Sequence, residues 1–175
     1  MTGPWSLPVP LADIDRAPVH LHPAVDAATC ARIAKTVGVD ALNRLDVELI
    51  LKPWLDGAEL HGRLSANVTQ TCGITLDPFD SDLRSDFTVR VVPAGSDNAP
   101  TAELHEVEVD PEADDPPDVL EGEVIDVGAY VVEHLALEVD PFPRKPGAVF
   151  EQPGGVEVIS PFAALAALKD RDSTK

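Results

Sequence analysis

The sequence predicts an α+β domain in which an antiparallel sheet over about residues 42–92 packs against helices near 25–37, 128–139 and 161–168. Three observations carry that expectation. Hydrophobic residues recur with a period near two through "ALNRLDVELILKPW", "LDGAELHGRLSANVTQTCGITLDPF" and "SDLRSDFTVRVVP", interrupted by turn-forming residues. A helical period flanks these runs on both sides. The chain's 175 residues and 44% hydrophobic content suffice for the core of a single domain spanning 1–175.

The elements follow in order. "WSLPVPLADIDRAPVHLHP" alternates apolar residues but is broken by four prolines, which suits an edge strand or an extended arm. In "AVDAATCARIAKTVGV", Val25, Thr29, Cys30, Ile33 and Val37 share one side of a helix, and Gly38 marks its end. Cys30 is therefore expected on the buried face. The "LDG" at 55–57 and the "LDPFD" at 76–80 supply turns between three antiparallel strands, with glycine accepting positive φ and Asp-Pro starting a turn. Leu60, Arg63, Ala66, Val68 and Cys72 fail to alternate cleanly, which predicts a bulge or register change near Gly62.

From Thr101 to Asp126 the chain holds eleven acids and neither Lys nor Arg. "ELHEVEV" suits an exposed strand, whereas residues around 110–118, "DPEADDPPD", are too acidic and proline-rich to pack and are expected to form a mobile loop. Asp126 is placed to cap a helix starting near Val127, whose Val131, Val132, Leu135 and Val139 form an apolar stripe. A second stripe, Tyr130 and Leu137 with His134 beside them, lies nearly opposite, as core or as a face for a partner. Near the end, Ser160 and Pro161 open a short helix with Phe162, Leu165 and Ala166 on one face, and residues 170–175 are expected to fray.

Charge constrains function. Thirty-one acids against thirteen Lys plus Arg give a formal charge of -18, a field that repels phosphate backbones and attracts cationic proteins. No basic leader and no bilayer-length apolar run is present, so the default expectation is a cytoplasmic protein without membrane contact. Cys30 and Cys72 are read as two free thiols.

Several chemistries are weighed and set aside. Zinc needs about four ligands, and the His20–His22 pair has no cysteine or third histidine nearby in sequence. The acidic loop lacks the ligand spacing of a calcium site, and no phosphate-binding loop is present. No metal and no cofactor are expected. A dyad of Cys72 with His61 or His134 would serve a thiol-dependent or RNA-processing hydrolase, but acidic neighbours should raise the thiol pKa, and a buried strand cysteine is the simpler account.

Three stretches resemble the YceD, or DUF177, family of large ribosomal RNA subunit accumulation proteins. They are "VTQTCGITLDPF" at 68–79, "IDVGAYVVEHLALEVDPFPRKPGA" at 125–148 and "SPFAALAALK" at 160–169, in matching order and spacing. The resemblance implies a bacterial cytoplasmic factor in large-subunit biogenesis, linked to a small ribosomal protein and without catalytic activity. Many members carry Cys-x-x-Cys where this chain has "CGIT", with Thr75 in the second cysteine's place.

The expected function is thus non-catalytic. Contact is with a basic ribosomal protein or pre-ribosomal particle, with RNA touched secondarily at most. The expected binding surface joins Asp114 and Asp115 of the acidic loop, the Tyr130, His134 and Leu137 stripe, and Arg144 with Lys145 in "PFPRKP". The two cations either position a phosphate once a protein contact has formed or neutralise Glu138 and Asp140.

Overall fold

The computed structural model describes residues 3–100 and 115–150. Five strands make the main sheet in the order β2-β3-β4-β5-β6: Val19–Leu21, Ala41–Trp54, Gly57–Thr71, Pro78–Pro93 and Asp118–Leu120. The three long strands are the antiparallel meander expected from the sequence. β6 joins β5 in parallel over Val91–Pro93 alone. A second, two-stranded sheet pairs β1 (Pro8–Pro10) with β7 (Val124–Asp126), so the proline-broken arm supplies both an edge strand and a strand of its own sheet. Between β1 and β2 the chain makes one helical turn, α1 (Leu11–Ile14), which the sequence pattern did not predict.

Two helices cover one face of the sheet. α2 (Ala27–Val37) starts at Asp26, whose carboxylate accepts from the Thr29 N–H at 2.7 Å, and stops at Gly38 with φ 78°. Thr29, Cys30, Ile33 and Ala34 are its buried residues. α3 (Val127–Glu138) buries Val127, Gly128, Val131, Val132 and Leu135, while Val139 is half-buried. Its cap, Asp126, accepts from the Gly128 and Ala129 N–H groups and also from the Leu7 N–H at 2.8 Å and the Ser6 hydroxyl at 2.7 Å. One carboxylate thus satisfies a helix start and ties down the N-terminal arm.

The bulge lies elsewhere than expected. β4 alternates without interruption, with Leu60, Gly62, Leu64, Ala66, Val68 and Gln70 all inward, and its pairing with β5 is continuous. Gly62 broke the sequence pattern because its inward space is filled from the neighbouring strand. A Cβ there would lie 2.1 Å from Cζ of Phe87, its partner in register. The irregularity falls instead between Leu42 and Arg44 on β3, where one extra residue lets both Leu42 and Leu45 face the core. In the 55–57 turn the positive φ is borne by Leu55 at 52°, not by Gly57. Asp-Pro at 77–78 begins β5, and the turn precedes it at Gly73–Thr75.

The expected helix at 161–168, the frayed 170–175 and the "ELHEVEV" strand lie outside the described residues, as does most of the acidic loop. At that loop's end, Asp118 belongs to β6 and accepts from the Tyr130 hydroxyl at 2.9 Å.

Replacing Gly62→Ala should destabilise the protein by about 1–3 kcal/mol in urea unfolding, because the added methyl overpacks against Phe87. Gly62→Ala combined with Phe87→Leu should recover part of that loss. Asp126→Ala should cost about 1–2 kcal/mol, the usual loss for a cap, in the same measurement.

Candidate functional site

The candidate site is built where β4 runs out. Beyond Thr71 the chain closes a tight loop: the Cys72 N–H donates to the Asp77 carbonyl and the Leu76 N–H to the Cys72 carbonyl, each at 2.9 Å. Leu76 adopts φ 60°, an uncommon conformation for a branched side chain, and points outward at 74% exposure. The Cys72 side chain is fully covered, yet it stands apart from the hydrophobic core cluster. Its sulfur accepts N–H bonds from Ile74 at 3.4 Å and from Lys145 at 3.3 Å.

The second bond brings in the proline-rich strip after α3. Its prolines cannot donate, so most of its attachments use its carbonyls as acceptors. The buried Gln70 amide donates to the Asp140 carbonyl at 3.0 Å, and the Gly73 N–H donates to the Pro143 carbonyl at 2.9 Å. With Lys145 on the sulfur, these contacts staple residues 140–145 to the end of β4. A turn with Gly147 at φ 80° and an Ala148-to-Lys145 bond of 3.0 Å follows.

Electrostatics at Cys72 run opposite to the expectation. Backbone N–H donation from Thr75 and Lys145, joined by the Thr75 hydroxyl and the Ile74 N–H, brings the thiol down to about 6, despite its removal from solvent. The acidic surroundings matter less than the donors aimed at the sulfur. Cys30 behaves in the ordinary way, its thiol pushed up first by burial and then by Asp26. Both cysteines are free thiols.

Neither imagined dyad forms. His61 precedes Cys72 by eleven residues along β4, roughly 30–35 Å of strand. It bonds Glu59 at 2.6 Å and Thr88 at 3.1 Å on the opposite face of the sheet. His134 stacks on Phe87, with centroids 4.0 Å apart and planes 9° apart, far up β4 from the Cys72 loop. Burial lowers its pKa against the pull of Glu133 and Glu138, which favours a neutral ring. His22 of the H-x-H pair bonds Asp46 at 2.8 Å. Among the described residues, no three His, Cys, Asp or Glu groups are placed to hold a metal, and no helix is long and apolar enough to cross a membrane.

The residues singled out from the sequence separate into three settings. Tyr130 and His134 are half-buried and pack with the fold; burial, then Asp118, pushes the Tyr130 phenol up. Leu137, on the same stripe, is 73% exposed. Arg144 is exposed and forms no ion pair among the described residues, whereas Lys145 reaches Asp77 at 3.7 Å. Lys145 therefore does not neutralise Glu138 or Asp140, which accept from the Ser85 hydroxyl and the Phe142 N–H. Asp115 is exposed, and Asp114 lies outside the described residues.

Sequence reasoning missed Leu76, Phe142, Val149 and Phe150, all exposed apolar residues on the loop and the strip. The proline spacing in "PFPRKP" was the available signal. Phe142 lies between Pro141 and Pro143, Arg144 follows them, and both side chains are exposed.

A thiol whose folded pKa lies below its unfolded value contributes stability in full above the unfolded value, near 8.5, and loses it as pH falls through about 6. The stability gap between the wild type and Cys72→Ala should therefore widen from pH 6 to pH 8.5. The native protein should also lose one thiolate's ultraviolet absorbance on acidification through about pH 6, a step that survives Cys30→Ser and disappears in Cys72→Ser.

Comparison with known proteins gives one match. The family model described as "Large ribosomal RNA subunit accumulation protein YceD" covers residues 60–169. No curated protein and no solved structure matches the chain. The matched region takes in nearly all of β4, the Cys72 loop, β5, α3 and the stapled strip, and it is more than half of the sequence. The chain belongs to the YceD family, the large ribosomal RNA subunit accumulation proteins.

Proposed function

We propose that this protein supports accumulation of large-subunit ribosomal RNA without catalysing a reaction, by binding a basic ribosomal protein or an assembly particle that contains one. Membership of the YceD family supports the ribosomal role. The single observation that carries the protein-contact mechanism is the stapled strip. The strip pinned to the Cys72 loop carries Phe142 at 78% exposure, and Leu76 of that loop is 74% exposed, within a chain of net charge -18. Apolar residues held in place in an acidic field suit an apolar and cationic protein surface.

Phosphate binding is poorly supported by the same charge map. Arg44, Arg63 and Arg84 gather on the outer sheet face, but Asp46, Glu48, Asp82 and Asp86 share the cleft they line. Arg63 is already bonded to Asp86 at 2.7 Å. Arg144 is left as a positioning contact once a partner is in place.

Affinity purification from cells should enrich one or a few basic large-subunit proteins, and that enrichment should survive nuclease treatment. Leu137→Ser with Phe142→Ser should weaken it by tenfold or more while leaving the unfolding midpoint unchanged, since both side chains are exposed. Tight binding of purified protein to naked ribosomal RNA, with no enriched protein, would overturn the reading.

A further inference from the structure

Among the described residues, the long edge of β5 is uncovered. β6 covers only Val91–Pro93, and among the described residues no backbone group pairs with the outer edge from Asp80 to Thr88. The direction of that edge can be read from two contacts. The Val91 carbonyl faces β4, so close that a Cβ on Gly57 would lie 1.9 Å from its oxygen, and the Ala94 N–H donates the other way, to Leu120 of β6. With no register shift along β5, the even-numbered residues from Asp80 to Thr88 aim their N–H and C=O groups away from β4. The side chains agree: inward positions of β4 are buried, whereas Phe79, Ser81, Leu83 and Ser85 of β5 are only half-buried.

We infer that this edge accepts an extended lysine- and arginine-rich segment of the protein partner as an added strand. The inference rests on the basic-partner reading above and specifies how such a partner is held. Main-chain hydrogen bonds supply the affinity of such a mode, and charge selects the occupant. Asp80, Asp82 and Glu138 border the edge against Arg84; Asp80 and Asp82 are bonded to the neutral Thr69 and Asn67, whereas Asp86 is paired with Arg63. A second copy of the chain would bring another charge of -18 to the same edge. The chain's own residues 101–114 hold six acids and no Lys or Arg, a poor match for an acidic edge.

The probe is a synthetic peptide of alternating lysine and valine, with a control of the same sequence N-methylated along one edge. Arg84→Pro removes an outward N–H without touching the β4 ladder, and it also removes a positive charge, so electrostatics alone would tighten binding. Arg84→Pro should weaken binding about tenfold, Arg84→Ala should bind at least as tightly as the wild type, and the N-methylated control should bind at least about tenfold more weakly. Residue-resolved amide exchange should show the even-numbered amides from Asp80 to Thr88 exchanging freely in the unbound protein and protected by the peptide.

Equal binding of the parent and N-methylated peptides would overturn the strand mode while leaving the basic-partner reading intact. That reading fails separately, if no basic protein is enriched from cells. Even-numbered amides already protected in the free protein would overturn the inference in favour of the chain's own segment, or of a second copy if protection rises with protein concentration.

Discussion

The sulfur of Cys72 is the point on which the candidate site turns. It is an acceptor, covered from solvent, and its hydrogen bonds come from backbone N–H groups of its own loop and of Lys145, seventy-three residues along the chain. A strip rich in prolines has few donors to offer, and Lys145 spends one of them here. Without that acceptor the strip would keep its hold through Gln70 and Gly73, but its following turn would lose its anchor. The lowered thiol pKa has the same origin, since donors that converge on sulfur favour its charged form. Oxidation, disulfide formation and nucleophilic attack all need access, and Cys72 has none.

β4 transmits this arrangement through the fold. It is the central strand, with β3 and β5 paired along nearly its whole length. At one level Gly62 admits Phe87, on which His134 of α3 stacks; further along, Gln70 holds the carbonyl that follows α3. α3 is thus fixed against the sheet near its middle and just past its end. That is why Tyr130 and His134 serve packing while Leu137, on an equivalent stripe, remains open.

Much of this was legible in the amino-acid sequence, for definable reasons. The meander, α2 and α3 were readable because period and capping residues act locally: Asp126 and Gly38 announce helix boundaries wherever they occur in such patterns. The bulge was misplaced because burial at Gly62 is supplied by a neighbouring strand, and no local pattern reports what a partner contributes. The Cys72 pKa was misjudged for a related reason. Charge counting sees the surrounding acids, whereas the dominant donors are peptide N–H groups, which belong to no residue type and leave no mark in composition.

The distribution of charge links the two surfaces. On the outer sheet face, arginines and acids alternate closely enough to cancel, so that face has little field of its own. Beyond the cleft on that face, Asp80 and Glu138 extend the acid along the β5 edge, and Asp115, Asp118 and Glu133 line a pocket with Arg90 at the β6–α3 corner. A cationic chain approaching the molecule is drawn toward those regions rather than to the sheet face, and screening by salt shortens that reach to about 10 Å. Attraction alone does not select one partner, because any basic polypeptide would respond to it. Selection requires short-range structure at the point of arrival: apolar residues fixed on a stapled strip and backbone groups aligned along a strand edge. On the proposed reading, long-range charge and short-range geometry therefore do different work: charge draws a basic polypeptide in, and the geometry built from β4 outward selects among such polypeptides.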